Sequence, residues 1–378
     1  MERKLIGKIL QIQDSMLSEN AGLFTGDMGI CLALYLLSKK GKIKQAEVEA
    51  DKLLEHIIDV IKNPCNTTFD NGLAGIGWAI NFLHSSNNLD GDVDEILYNI
   101  DASLYKDLTK TNAVFNISVA NGLSGYLVYF TERLANSSHH IDTVQHRLIV
   151  ESIQIAVDKL FELMPDILPK TSNDLYISVL WEIPFVFFNL SRIYELGIYR
   201  DKIKNVIRCW EVFIQSAIPF YNINKLYFAV SLAYMNRILK EPYIERHVDL
   251  LIHSIDFEEI ESEIDLRVIN MNEGWPLTVL ILYFANQYIP KTQPKHMCFD
   301  TLRKKILRNN FSTLQDCLNL NSEKKVPISF INGIGGLSVA YAIWPDAFAE
   351  EVNNWGESSN LELEYHYGKR SNLRRCRC

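Results

Sequence analysis

Asn71-Gly72-Leu73-Ala74-Gly75-Ile76-Gly77-Trp78-Ala79-Ile80 is the stretch on which the reading of this chain turns. Two glycines three residues apart open an apolar run that carries no charge. Copies stand at Thr25-Gly26-Asp27-Met28-Gly29-Ile30, Asn121-Gly122-Leu123-Ser124-Gly125-Tyr126 and Asn332-Gly333-Ile334-Gly335-Gly336-Leu337. Gly26, Gly72, Gly122 and Gly333 follow one another at intervals of 46, 50 and 211 residues, and the last interval is about four periods. A repeat architecture then predicts three worn copies in the gap. Trp181-Glu182-Ile183-Pro184-Phe185, Leu226-Tyr227-Phe228-Ala229-Val230-Ser231 and Asn272-Glu273-Gly274-Trp275-Pro276-Leu277 stand near the expected places, each opening a charge-poor run.

Working outward from the motif, each unit carries a charged amphipathic segment, a loop, then the glycine motif and its apolar helix. Ahead of Gly72, Leu53, Leu54, Ile57, Ile58 and Ile61 form a helical stripe opposite Glu47, Glu49, Asp51, Lys52, Glu55 and Asp59. A half-solvated helix alternating with one that is apolar all round is what two concentric layers require. An open solenoid would need polar caps on its end units. The expected fold is therefore all-α: an α,α-toroid, a closed ring of about seven helix pairs, as one domain over residues 1–355 with a tail over 356–378. At the inner helix starts, Gly26, Gly29, Gly72, Gly75, Gly122, Gly125, Gly274, Gly333 and Gly336 let backbones approach closely and leave N–H groups pointing into a central mouth. Packing alone and ligand contact both remain open for them.

Composition bounds the function. The net charge of −8 and pI of about 5.7 argue against a phosphate-neutralising surface and hence against nucleic acid as a partner. Only Lys369 to Arg377 is markedly basic. The first residues lack a signal peptide's apolar core and no run is long enough to span a membrane, so a cytoplasmic protein without a membrane partner is expected. Seven scattered cysteines read as reduced thiols, with Cys376 and Cys378 alone close in sequence.

The glycine motifs at Gly22 to Ile30, Asn71 to Ile80 and Ile331 to Leu337 resemble the inner-helix motifs of the lanthionine synthetase C-like family. The resemblance implies an α,α-toroid and a peptide thioether cyclase, in which zinc activates a peptide cysteine thiol for addition to a dehydrated serine or threonine. Zinc held by two thiolates and an imidazole lowers the thiol pKa and keeps one coordination position open. At the positions matching the family's ligands this chain has Leu226, Asn272 and Glu273, so no metal is expected. At the family's acid and base positions it has Asn116 and the Trp181-Glu182 pair.

Three functions follow as expectations. The first is a zinc-free pseudo-cyclase that holds a precursor peptide or a modifying enzyme, with Trp181, Tyr227, Phe228 and Trp275 either meeting peptide or filling the vacated space. The second is a carboxylate-based, glycoside-hydrolase-like enzyme using Asp27, Glu182 and Glu273, which as equivalent helix-start residues either converge on one mouth or merely complement helix dipoles. The third is a zinc cyclase with an atypical ligand set drawn from Cys209, Cys298, Cys376 or Cys378, although Cys209 in Ile207-Arg208-Cys209-Trp210 reads as core filling.

Overall fold

The computed structural model describes residues 1–13, 20–61, 66–136, 143–167, 181–265, 267–293, 295–319 and 327–348. The tail expected over 356–378, with Cys376 and Cys378, lies outside them, as do Cys65, His139, His140 and His366. The described residues are helical, with one isolated bridge between Asp265 and Gly274.

The helices are α1 (Glu2–Gln13), α2 (Asp27–Gly41), α3 (Lys44–Val60), α4 (Leu73–Ser85), α5 (Val93–Leu108), α6 (Leu123–Asn136), α7 (Val144–Ile167) and α8 (Glu182–Glu195). They continue with α9 (Arg200–Cys209), α10 (Glu211–Ser216), α11 (Asn222–Leu239), α12 (Pro242–Ser254), α13 (Ile260–Glu263), α14 (Trp275–Tyr288), α15 (His296–Leu318) and α16 (Ile334–Ile343). Seven of them, α2, α4, α6, α8, α11, α14 and α16, form the inner layer, and the amphipathic helices pack outside. In α3 the buried stripe is Ala46, Ala50, Leu53 and Ile57, narrower than the pattern suggests, because Ile58 faces outward. Inner α4 buries residues on every side, from Ala74 to Leu83.

Inner helices pack in chain order from α2 to α14, α16 returns to pack on α2, and residues flanking α14 and α16 join the remaining pair, which closes the ring. The α14 to α16 seam is made by the Phe284 ring edge-on to Trp344 and by Met271 N–H donating to the Ile331 carbonyl at 3.2 Å. Helix α1 completes the outer layer over the closing seam. Tyr341 O–H donates to Glu2 Oε1 at 3.0 Å, Lys40 Nζ donates to the Tyr341 carbonyl at 3.0 Å, and Lys8 Nζ reaches the Asn319 carbonyl at 3.3 Å. One cluster of buried residues runs from Leu5 to Phe348.

The glycines answer to a single local geometry. In four units the N–H of the first inner-helix residue donates to the carbonyl seven residues earlier: Asp27 to Asn20, Leu73 to Asn66, Leu123 to Asn116 and Ile334 to Pro327, all at 2.9–3.0 Å. That loop folds its backbone onto the helix start. A Cβ on Gly26, Gly72, Gly122, Gly274 or Gly333 would stand 2.2–2.5 Å from the carbonyl oxygen six residues back. The second glycines, Gly29, Gly75, Gly125 and Gly336, meet their own loop carbonyls at 1.9–2.4 Å and also a side chain of the neighbouring unit. Gly75 faces Leu23, Gly125 faces Phe69, Gly336 faces Met271 and Gly29 faces Phe330. The last of these is the closing seam, and it has the same contact as the interior seams.

Candidate functional site

The loops before the inner helices share one end of the ring, and backbone hydrogen bonds tie them into a belt. Met271 N–H donates to Ile331, Ile331 to Phe24, Phe24 to Asp70, and Asp70 to Ala120, at 2.7–3.2 Å. The belt joins the sixth, seventh, first, second and third units. Asparagines pin the loops from within: the N–H groups of Gly22, Thr68, Ser118 and Asn272 donate to Asn20, Asn66, Asn116 and Asn270 Oδ1 respectively, at 2.9–3.2 Å. An Asx turn of this kind lets a side chain stand in for backbone hydrogen bonding.

Asn116 therefore spends its amide on the loop: Oδ1 accepts from Ser118, and Nδ2 donates to Asn121 Oδ1 at 3.1 Å. The same spacing, an asparagine six residues ahead of the helix-capping glycine, is visible in the sequence at Asn20, Asn66 and Asn116, and it was the missed signal.

Asp27 and Glu182 each form the first residue of an inner helix, α2 and α8, as their common register implies. Glu273 differs: it stands two residues before the first residue of α14, is exposed, and its N–H donates to Asn270 Oδ1 at 3.0 Å. The expected equivalence of the three carboxylates thus fails at the sixth unit, because Asp27 follows its capping glycine Gly26 whereas Glu273 precedes its capping glycine Gly274. Helix α11 stands between the starts of α8 and α14. Asp27 is buried at its helix start, where the dipole favours an anion, with His56 Nε2 3.9 Å away.

Leu226 is no mouth residue. Helix α11 begins four residues earlier, at Asn222, and Leu226 is fully buried within it. Asn272 is half-buried in the loop before α14, at the level of the belt. The three positions matched to zinc ligands thus offer a hydrocarbon, an amide and an exposed carboxylate, which do not fit catalytic zinc. Among the described residues, no group of three or more His, Cys, Asp or Glu side chains is arranged to hold a metal ion.

The start of α11 is held by a residue that sequence reasoning did not single out. Glu263, from the short α13, accepts from the N–H groups of Asn222 at 2.9 Å and Ile223 at 3.0 Å, and from Asn222 Nδ2 at 2.8 Å. It caps the helix in place of a local side chain.

Trp181 sits before α8 with its ring 6.1 Å from Tyr227 and 5.9 Å from Phe228 of α11. All three, and Trp275, are buried. They fill the space between inner helices and leave no free aromatic face for peptide. Cys209 is exposed at the end of α9, against the expectation of core filling, because its position falls on the solvent side of a helix whose buried residues are Ile203 and Ile207. Cys298 is half-buried, and Cys31 is buried, where desolvation and then the Asp51 and Asp27 carboxylates push its thiol pKa up, away from thiolate chemistry. No described helix is long and apolar enough to cross a membrane.

Residues 3–166 match the sequence model of the family described as lanthionine synthetase C-like protein. No curated protein matches the chain. Among solved structures, nisin cyclase is similar, with a TM-score of 0.65 and 15% sequence identity over 91% of this chain and 93% of that one. The matched residues carry the first three glycine motifs, so the N-terminal part of the chain is similar to the lanthionine synthetase C-like family, and the helical toroid fold is shared with nisin cyclase almost end to end.

Proposed function

We propose that this chain is a zinc-free member of that family that works in ribosomal peptide modification by holding a peptide, or the enzyme that modifies it, inside a lanthipeptide-type pathway. The family match and the name of the similar structure, nisin cyclase, supply the pathway class. The observation that carries the rest is the donor chemistry: Leu226 inside α11, and Asn272 and Glu273 in a loop organised by Asn270. Catalytic zinc takes three protein ligands from nitrogen, sulfur and carboxylate oxygen, and a buried leucine supplies none of these. Asn116, at the family's acidic position, is an amide with no proton to exchange near neutral pH.

Elemental analysis of protein purified without an affinity tag, alone and as the Cys376→Ser, Cys378→Ser double variant, tests the metal half. No stoichiometric zinc is expected in either. Zinc lost in the variant would restore a cyclase with tail-supplied ligands, and zinc kept would assign it to internal cysteines; both results refute the proposal. Pull-down with the peptides encoded beside its own gene tests the binding half, and retention of none of them would refute it.

A further inference from the structure

The connection from α10 to α11 displays apolar side chains outward on an anchored backbone. Ala217 and Pro219 are buried while Ile218 and Phe220 alternate with them, 46% and 72% exposed. Both ends are pinned. The Ala217 carbonyl accepts from the buried His247 ring at 2.9 Å, and Ala217 N–H donates to Phe213 at 2.9 Å. At the other end, Asn222 Nδ2 donates to Glu259 and Glu263, and Asn222 Oδ1 accepts from Asp256 N–H at 3.1 Å. Those bonds lay the apolar loop against Asp256-Phe257-Glu258-Glu259-Ile260-Glu261-Ser262-Glu263, where five of eight residues are acidic. Lys225 donates to Asn222 Oδ1 and to the Ser254 carbonyl, Lys295 donates to the carbonyls of His253 and Ile255, and Lys305 pairs with Glu261. Asp256, Glu258 and Glu259 are exposed, and none of the three makes an ion pair among the described residues.

We infer that this surface docks a cationic peptide segment with an apolar side chain, the apolar group seated on Ile218 and Phe220 and its lysines or arginines facing Asp256, Glu258 and Glu259. A solvent-exposed aromatic such as Phe220, whose ring meets only the edge of the neighbouring Tyr221 ring at 5.2 Å, on a backbone that loses little freedom on binding, is the kind of residue that dominates interface energies. A surplus of carboxylates beside it selects the sign of the partner and repels anionic lipid. The inference does not depend on the zinc-free reading, since the surface lies outside the residues matched to ligands.

The probe is a short fluorescein-labelled peptide of alternating lysine and leucine, with its glutamate-for-lysine counterpart as control, titrated against the full chain by fluorescence anisotropy. The lysine peptide is expected to bind at least about tenfold more tightly than the glutamate peptide, and less tightly as salt rises. Phe220→Ser and Glu258→Lys are each expected to weaken it about tenfold with the melting temperature unchanged. Tyr98→Ser, which removes an exposed aromatic from the outer face of α5, is expected to leave binding as it was. Equal binding of both peptides, no binding, or binding indifferent to both loop variants overturns the inference. Attachment to phosphatidylserine vesicles that Phe220→Ser abolishes, without peptide binding, overturns it in favour of a membrane.

Discussion

Gly75→Ala sets two rules of helix chemistry against each other. Gly75 lies in the first turn of α4, and alanine for glycine in a helix ordinarily gains about 1 kcal/mol. Here the new Cβ would stand 1.9 Å from the Phe69 carbonyl oxygen and 3.0 Å from Leu23 Cβ. Relief requires the loop to retreat by about 1 Å, since non-bonded carbon and oxygen rarely come within ~3 Å. The loop is not free to do so, because Phe69 and Asp70 N–H both donate to the Ala120 carbonyl at 2.9 Å and Asp70 accepts from Phe24. Breaking two such bonds costs about 1 kcal/mol each, and overpacking adds about 1–3. Less the propensity gain, the net loss is roughly 2–4 kcal/mol, or about 4–8 °C at the ~2 °C per kcal/mol of a large domain. Differential scanning calorimetry of the wild type, Gly75→Ala and a Gly197→Ala comparison reads this directly. Gly197 has φ of +87° and nothing within 4 Å, so its variant meets only backbone strain of about 1 kcal/mol. A Gly75→Ala melting temperature equal to or above the wild type would refute the glycine-to-carbonyl account of the ring.

Two further outcomes follow from buried charge and its absence. Asp101 is buried and accepts from Tyr129 O–H at 2.5 Å, Arg133 Nη2 at 3.0 Å and Gln145 Nε2 at 2.7 Å, so Asp101→Asn should cost about 3–5 kcal/mol by leaving the buried Arg133 with only Asp94. The Asp101→Leu, Arg133→Met pair should recover most of that loss in urea denaturation, and a double variant as unstable as the single one would contradict the assignment. Burial lowers the His247 pKa below its ordinary 6.5, against the smaller opposing effect of the Ala217 carbonyl. Its folded pKa thus lies under the unfolded one, so its contribution is complete above about pH 6.5 and declines as pH falls through that value toward the folded pKa. The stability difference between wild type and His247→Gln should shrink on acidification from pH 7.5, and a difference that grows would reverse the sign of the argument.

The ring was legible because the glycine motif reports a steric contact that recurs at every well-kept helix start. The spacing of Gly26, Gly72, Gly122 and Gly333 therefore carried the unit count, and the charge-free runs carried the layer assignment. The fifth unit was harder. Its inner helix begins at Asn222 rather than near Leu226, and no local glycine or capping residue announces it, because the cap is Glu263, 41 residues onward. A start fixed by tertiary contact leaves no mark in a local window. Glu273 misled for a simpler reason: Gly274 keeps the capping place before α14 that Gly26 has before α2, so the residue equivalent to Asp27 is Trp275, and Glu273 falls in the loop. The Asp256 to Glu263 acids carry no local mark of their neighbour, because the loop carrying Phe220 reaches them only through the tertiary bonds of Asn222.

The seam between Gly29 and Phe330 has a consequence for how such a chain can change over evolutionary time. In an open array a repeat can be duplicated or lost at small cost, because the ends simply move. Here seven inner helices close on themselves, and the closing joint uses the same glycine fit as the joints at Gly75, Gly125 and Gly336, so adding or deleting a unit would leave a gap or a collision that no single joint can absorb. Copy number is locked by geometry. Under that constraint a unit can only be rewritten in place, and the fourth to sixth units keep their inner helices, α8, α11 and α14, where the glycine motif is worn.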